Sequence, residues 1–328
     1  MTLRTHILTV DVEDWFHILE SDAAPARARW DELESRVERN TERLLELFAR
    51  HGARATFFVV GWVAWRHPEL VRRIVAAGHE IASHSFWHEV IRRHDLASFT
   101  ADLRASKALL EDLSGQPVEG FRAAGNSITR SESWAFDVLV ENGFLYDASL
   151  CPGTSSHGGF PAAPLAPHQL RCRAGTLIEI PSSTVGAGSW RRPYAGGGYL
   201  RLLPYSVVKA GIALEEGAGR PANLYVHPRE LDPEQPRMPL PWKRRFKYYV
   251  GLRGLEAKLE RLLSEHRFIG VRAWLRERRP EILGRVLDLR GLAPVQPAPD
   301  PALIPPLPPI AAGSAAQEGS AAHEGGAA

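Results

Sequence analysis

Ile7-Leu8-Thr9-Val10-Asp11-Val12-Glu13-Asp14-Trp15 takes a near-continuous apolar run straight into three carboxylates. Such a run is what a parallel strand buried on both faces requires, because helices cover each side of it. The pattern recurs along the chain. Residues 55–60 read as a second strand and 80–82 as a short third. Residues 118–121, 144–146, 176–180 and 224–226 supply four more. Helical spacing separates them: Leu33, Val37, Leu44 and Phe48 share a face that ends at Gly52, and 68–77 form a second helix stopped by Gly78. Phe99, Leu103, Leu109, Leu110 and Leu113 mark a third, and Ser131 can cap a fourth that runs to Asn142-Gly143. A last helix over 253–266 carries Leu255, Leu259, Leu262 and Leu263 on one side. This alternation predicts an α/β fold with a mostly parallel sheet, and seven strands favour a distorted (β/α)7 barrel over an open sheet. The Gly- and Pro-rich segment 151–223 reads as long loops.

Composition removes several classes. A formal net charge of +2 over 328 residues gives no basic surface for nucleic acid. No stretch of about 18 apolar residues is present, so no membrane-spanning helix is expected. Met1-Thr2-Leu3-Arg4-Thr5-His6 lacks the longer apolar core of a secretory signal, which leads to an expected cytoplasmic location, including the inner membrane face. Cys151 and Cys172 are too few for a disulfide framework or a zinc knot and read as free thiols. Eight of the 25 prolines fall between Pro294 and Pro309, so 294–328 reads as a disordered Pro/Ala/Gly-rich tail. A helical extension is expected over 276–293.

In parallel α/β barrels, reactive groups sit where strands end. Four strand ends carry polar residues. Asp11 and Glu13 alternate onto one side of the first strand, where like charges call for a neutralising cation or proton, although strand-end acids can also simply face water. His84 and His88 in Ser83-His84-Ser85-Phe86-Trp87-His88 are spaced i, i+4, which on a helical turn offers two imidazoles to one divalent metal. Arg122 ends the fourth strand and can hold a carboxylate by two hydrogen bonds. His227 ends the last apolar run, before Pro228. Each could be a packing or surface residue; together they are the parts expected of a catalytic metal site.

With these motifs in this order, the chain resembles the polysaccharide deacetylases with a NodB homology domain, the carbohydrate esterase 4 group. Asp11-Val12-Glu13-Asp14-Trp15-Phe16, Tyr146-Asp147-Ala148-Ser149, Glu179-Ile180-Pro181 and Tyr225–Pro233 are similar to the subgroup found at exosortase/PEP-CTERM exopolysaccharide loci. The likeness covers roughly 5–275 and implies one domain over 1–275, with a subgroup-specific part over about 150–275. The resemblance implies a distorted barrel and metal-dependent hydrolysis of N-acetyl groups on amino sugars of a polysaccharide or its precursor. It implies Asp11 as catalytic base, Arg122 as the residue orienting that base, His227 as catalytic acid and Asp147 as the acid that tunes His227. It implies His84 and His88 as ligands of a divalent metal, Zn²⁺ by the ligand set. The family's adjacent acids are interrupted here by Val12, so the third ligand is Glu13 or Asp14, and Glu13 shares a face with Asp11. Ala124 stands where the third motif has proline. Trp190, Tyr199 and Trp242 are candidates to stack on sugar rings. The implied partner is an N-acetylated oligo- or polysaccharide; the oligomeric state is left open. A same-fold hydrolase of another C–N bond and an inactive glycan-binding protein are the competing readings, which bound metal would help separate.

Overall fold

The computed structural model describes residues 5–282 and 284–292. Its strands are β1 (Thr5–Val12), β2 (Thr56–Val59), β3 (Glu80–Ser83), β4 (Gly120–Phe121), β5 (Tyr146–Asp147) and β6 (His168–Arg171). Then come β7 (Thr176–Glu179), β8 (Thr184–Val185), β9 (Arg192–Pro193), β10 (Asn223–Val226), β11 (Arg267–Ile269) and β12 (Val286–Asp288). The helices of the first half are α1 (Val37–Arg50), α2 (Gly61–Arg66), α3 (Pro68–Ala76), α4 (Leu96–Ser114) and α5 (Trp134–Glu141). Those of the second are α6 (Gly197–Leu202), α7 (Tyr205–Gly217), α8 (Trp242–Tyr249), α9 (Leu255–Glu265) and α10 (Val271–Ile282).

The frame is the run β10-β1-β2-β3-β4-β5-β7, every neighbouring pair parallel. These are the seven strands anticipated from the sequence. β7 and β10 share no ladder; instead the Asn223 side chain donates to Pro181 O (3.2 Å) and the Asn223 amide donates to Ser183 Oγ (2.8 Å). The barrel is distorted at this seam, where side chains replace a strand pair.

Side-chain alternation divides the core in two. Leu8, Val10 and Val12 face outward with Phe57 and Val59 into the layer under the helices. Ile7, Phe58, Ala82, Tyr146 and Ile180 face inward. The inner cluster also takes in Val271, Trp274 and Ile282, so α10 stoppers the end of the barrel where the strands begin. There the Val271 amide donates to Thr56 Oγ1 (2.8 Å) and the Arg272 amide to Glu80 Oε2 (2.9 Å). With that end closed, access is from the end where the strands finish.

Several expectations change. Segment 151–223 holds the antiparallel β6–β7 pair, the β8–β9 hairpin and helices α6 and α7 as well as loops. The extension expected to be helical over 276–293 supplies only the end of α10; β12 then pairs with β6. The helix expected from Ser131 begins at Trp134. Cys151 and Cys172 are buried free thiols. The tail 294–328 lies outside the described residues. No helix among the described residues is long and apolar enough to cross a membrane.

Candidate active site

The ends of β1, β3, β4 and β10 converge on a cavity of about 410 Å³ lined by Asp11, Glu13, His17, His84, His88, His227 and Arg229, among others. Asp11, Glu13, His84 and His88 are buried. β1 keeps its alternation through Asp11, which brings Thr9, Asp11 and Glu13 to the interior side.

Arg122 anchors Asp11. Its Nη1 donates to Asp11 Oδ1 (2.6 Å) and Thr9 Oγ1 (2.9 Å), and its Nε donates to Ala148 O (3.1 Å). The guanidinium lies 4.2 Å from the Phe58 ring centre. A buried pair fixed at this many points has one geometry, whatever its net contribution to stability.

Glu13, His84 and His88 present ligand atoms all within 4.8 Å of one another. Hydrogen bonding selects the useful tautomer of His84: Nδ1 donates to Arg122 O (2.8 Å), which leaves the Nε2 lone pair for a metal. Burial pushes His84 down to about 4, so it is neutral and ligand-ready. Burial opposes ionisation of Glu13, but His88, His227 and Arg229 outweigh it and hold the carboxyl well below the usual range. A buried carboxylate with two imidazoles is a fitting donor set for a divalent metal with open positions. A second grouping, His6, Glu216 and His266, fails the tautomer test. His6 Nδ1 accepts from the Ala222 amide, so its Nε2 carries the proton that faces Glu216.

Asp14 is not in the ligand group. Its carboxylate accepts from the amides of Trp15, Arg36 and Val37 and from Ser35 Oγ, which ties the first turn of α1 to the end of β1. The His84–His88 segment is a loop, not the helical turn anticipated. Ser85 and His88 take positive φ (62° and 51°), and the Asp102 carboxylate on α4 accepts from the Phe86 and Trp87 amides (2.7 and 3.0 Å). Fixed this way, the two rings stand 4.9 Å apart.

His227 Nε2 lies 3.7 Å from Asp11 Oδ2 and 3.8 Å from Glu13 Oε1. Its partner is Glu230, not Asp147: Nδ1 is 2.9 Å from Glu230 Oε2, which also accepts from the His227 amide. Burial works against the imidazolium, but Glu230, Glu13 and Asp11 more than offset it and raise His227 above its usual value. Arg201 Nε in turn donates to Glu230 Oε1 (2.7 Å). Asp147 departs from its implied role because Tyr146 faces inward, which turns Asp147 to the outer side. There it accepts from the Ser149 hydroxyl and amide, and Ser149 Oγ accepts from the Ala123 amide. Asp147 therefore braces the loop that carries Arg122, the loop lacking the family's proline.

Sequence reasoning missed Glu230, Arg201, Asp102 and His17, and gave no role to Arg229, whose Nε donates to Glu13 Oε1 (3.1 Å). Glu230 had a signal: a Pro then an acid three residues past His227 is a helix-start pattern. Of the three stacking candidates, Tyr199 lines the cavity, while Trp190 and Trp242 do not.

Residues 24–136 match the polysaccharide deacetylase family, and residues 148–276 match a domain of unknown function, DUF3473. The likeness to the polysaccharide deacetylase family is thus carried by residues 24–136. The chitooligosaccharide deacetylase of Bradyrhizobium sp. (strain ANU 289) is 40% identical over 70 residues, covering 21% of this chain and 32% of that protein. The peptidoglycan deacetylase of Helicobacter pylori (strain ATCC 700392 / 26695) is 32% identical over 108 residues, covering 33% of this chain and 36% of its own. The chain spans less than half the length of the curated relatives it matches. A polysaccharide deacetylase homologue from Mycobacterium smegmatis has the same fold, with a TM-score of 0.58, 22% identity, and 86% and 93% of the two chains covered.

Proposed function

We propose that the protein is a metal-dependent hydrolase that removes N-acetyl groups from the amino sugars of a polysaccharide or its precursor, in exopolysaccharide biosynthesis. The observation that carries this reading is the placement of the Glu13–His84–His88 group beside Asp11 and His227 in one cavity. A divalent ion held by those three residues, Zn²⁺ by their chemistry, would supply Lewis-acid polarisation of the amide carbonyl and acidify water. Asp11, aimed by Arg122, takes the proton of the attacking water as general base. His227, kept as imidazolium by Glu230, gives a proton to the departing sugar amine. Arg229 holds one oxygen of Glu13 and so fixes how that carboxylate faces the ligand group. The products are acetate and a glycan with a free amine.

The test is to load the protein with metal, supply a panel of N-acetylated oligosaccharides and measure acetate. The His84→Ala/His88→Ala double variant should lose metal and acetate release together. Acetate release at the parent rate by that variant would refute the mechanism.

A further inference from the structure

The mouth of the cavity carries a surface that the hydrolytic chemistry does not use. Among the described residues, the exposed Trp and Phe side chains are Trp190 (80%), Trp242 (75%) and Phe246 (54%). All three belong to segments that border the mouth: Phe246 lines the cavity from α8, and Pro193 lines it from the hairpin that follows Trp190. Leu202 at the end of α6 joins them, lining the cavity and 49% exposed. α8 buries none of its residues. Trp242 and Phe246 are spaced i, i+4 and share a face, with Lys243, Arg245 and Lys247 exposed around them.

Charge separates this rim from the rest of the chain. Segments 186–193, 197–205 and 237–249 contain eight Lys or Arg residues and no Asp or Glu, in a chain whose formal charge is only +2; all but Arg201, which is buried against Glu230, are exposed or half-exposed. A short helix with solvent-facing Trp and Phe among cations is built to lie at a lipid interface, with rings at headgroup depth and cations on anionic headgroups. A glycan subsite would place these rings in the cavity wall, which of the three only Phe246 joins. Trp190 and Trp242 are outside it.

We infer that the aromatic and basic rim formed by α8, the end of α6 and the β8–β9 hairpin docks on an anionic lipid bilayer. The cavity then opens beside the headgroups and meets glycan held at that surface. The inference does not depend on which bond is hydrolysed.

The experiment is co-sedimentation of the full chain with vesicles of phosphatidylcholine alone or with one-third phosphatidylglycerol, at low and high salt. The chain should bind the anionic vesicles, release from them as salt rises, and leave neutral vesicles largely unbound. Lys243→Glu/Arg245→Glu should lower partitioning by at least about thirtyfold, since each cation near an anionic surface contributes roughly fivefold. Trp242→Ala should weaken binding and remove a blue shift in tryptophan emission on vesicle addition. Neither variant should change the rate on a short soluble oligosaccharide, which keeps this test distinct from that of the chemistry. Equal binding to both vesicle types, or binding that survives charge reversal, would overturn the inference. So would a Trp242→Ala variant that loses affinity for soluble glycan but not for vesicles, which would assign the rim to sugar.

Discussion

Asp14 and Glu13 are neighbours with opposite duties, and each can be removed separately. Asp14→Ala strips the start of α1 of its acceptor and should cost about 0.5–2 kcal/mol in denaturant titration while metal affinity is kept. Glu13→Gln, which keeps an acceptor for Arg229 Nε, should sharply weaken metal uptake by calorimetry, whereas Glu13→Ala should in addition lower the melt of the metal-free protein by leaving Arg229 unpaired. Glu230→Gln removes the anion behind His227, and kcat should fall about a hundredfold with KM retained, as for loss of a general acid. Asp147 and Glu179 form a buried pair beside one another in register. Burial raises Asp147, and burial together with Asp147 lifts Glu179 well above the usual range, so the folded state favours a shared proton on the pair more than the unfolded chain does. The folded state therefore holds a proton that the unfolded chain releases. This stabilisation is complete below about pH 4 and declines as pH rises through the folded value, by at most about 1.4 kcal/mol per pH unit. Glu179→Gln, a neutral stand-in for the protonated acid, should flatten the fall of Tm between pH 5 and 9. Asp11, Arg122 and His227 were legible because a charged residue closing an apolar strand has few reasons to be there. Asp147 entered only through the resemblance, and with β5 two residues long the sequence offered no strand parity to show which side it faces.

At the scale of elements, strands and amphipathic helices were legible because both faces of the sheet are buried. Leu255, Leu259, Leu262 and Leu263 are all buried, as the spacing required. The loop between His84 and His88 was not legible, since its shape is imposed by Asp102, 14 positions beyond His88 and on another element. Replacing Asp102 with Ala leaves two buried amides without an acceptor, a loss of about 1–3 kcal/mol each way it is relieved. The variant should melt earlier and bind metal more weakly, and apo and metal-loaded melts should separate the two effects. Segment 151–223 was illegible for a different reason. Its Gly and Pro residues mark turns between very short elements, and α7 buries only a narrow face of Val208, Gly211, Ile212 and Glu215.

The whole molecule is organised around β1. Its inner cluster is sealed by Trp274 of α10, and Trp274→Ala should cost about 3–5 kcal/mol in stability while metal affinity of the folded fraction is unchanged. β1 is flanked by β2 along Thr9–Val12, by β10 along Ile7–Val10, and by β11 along Thr5–Ile7. Two of those neighbours come from beyond residue 220, although β1 precedes every other strand among the described residues. On the ribosome, then, Asp11 and Glu13 emerge well ahead of β10 and β11 and wait for them before their strand is enclosed. β1 precedes the first family-matched segment and is walled by β2 from that segment and by β10 and β11 from the second, so the two segments are joined through it. Enclosure of the cavity end is a late, long-range event. A nascent chain arrested before residue 223 would carry every metal-ligand candidate and still have no place to bind the ion.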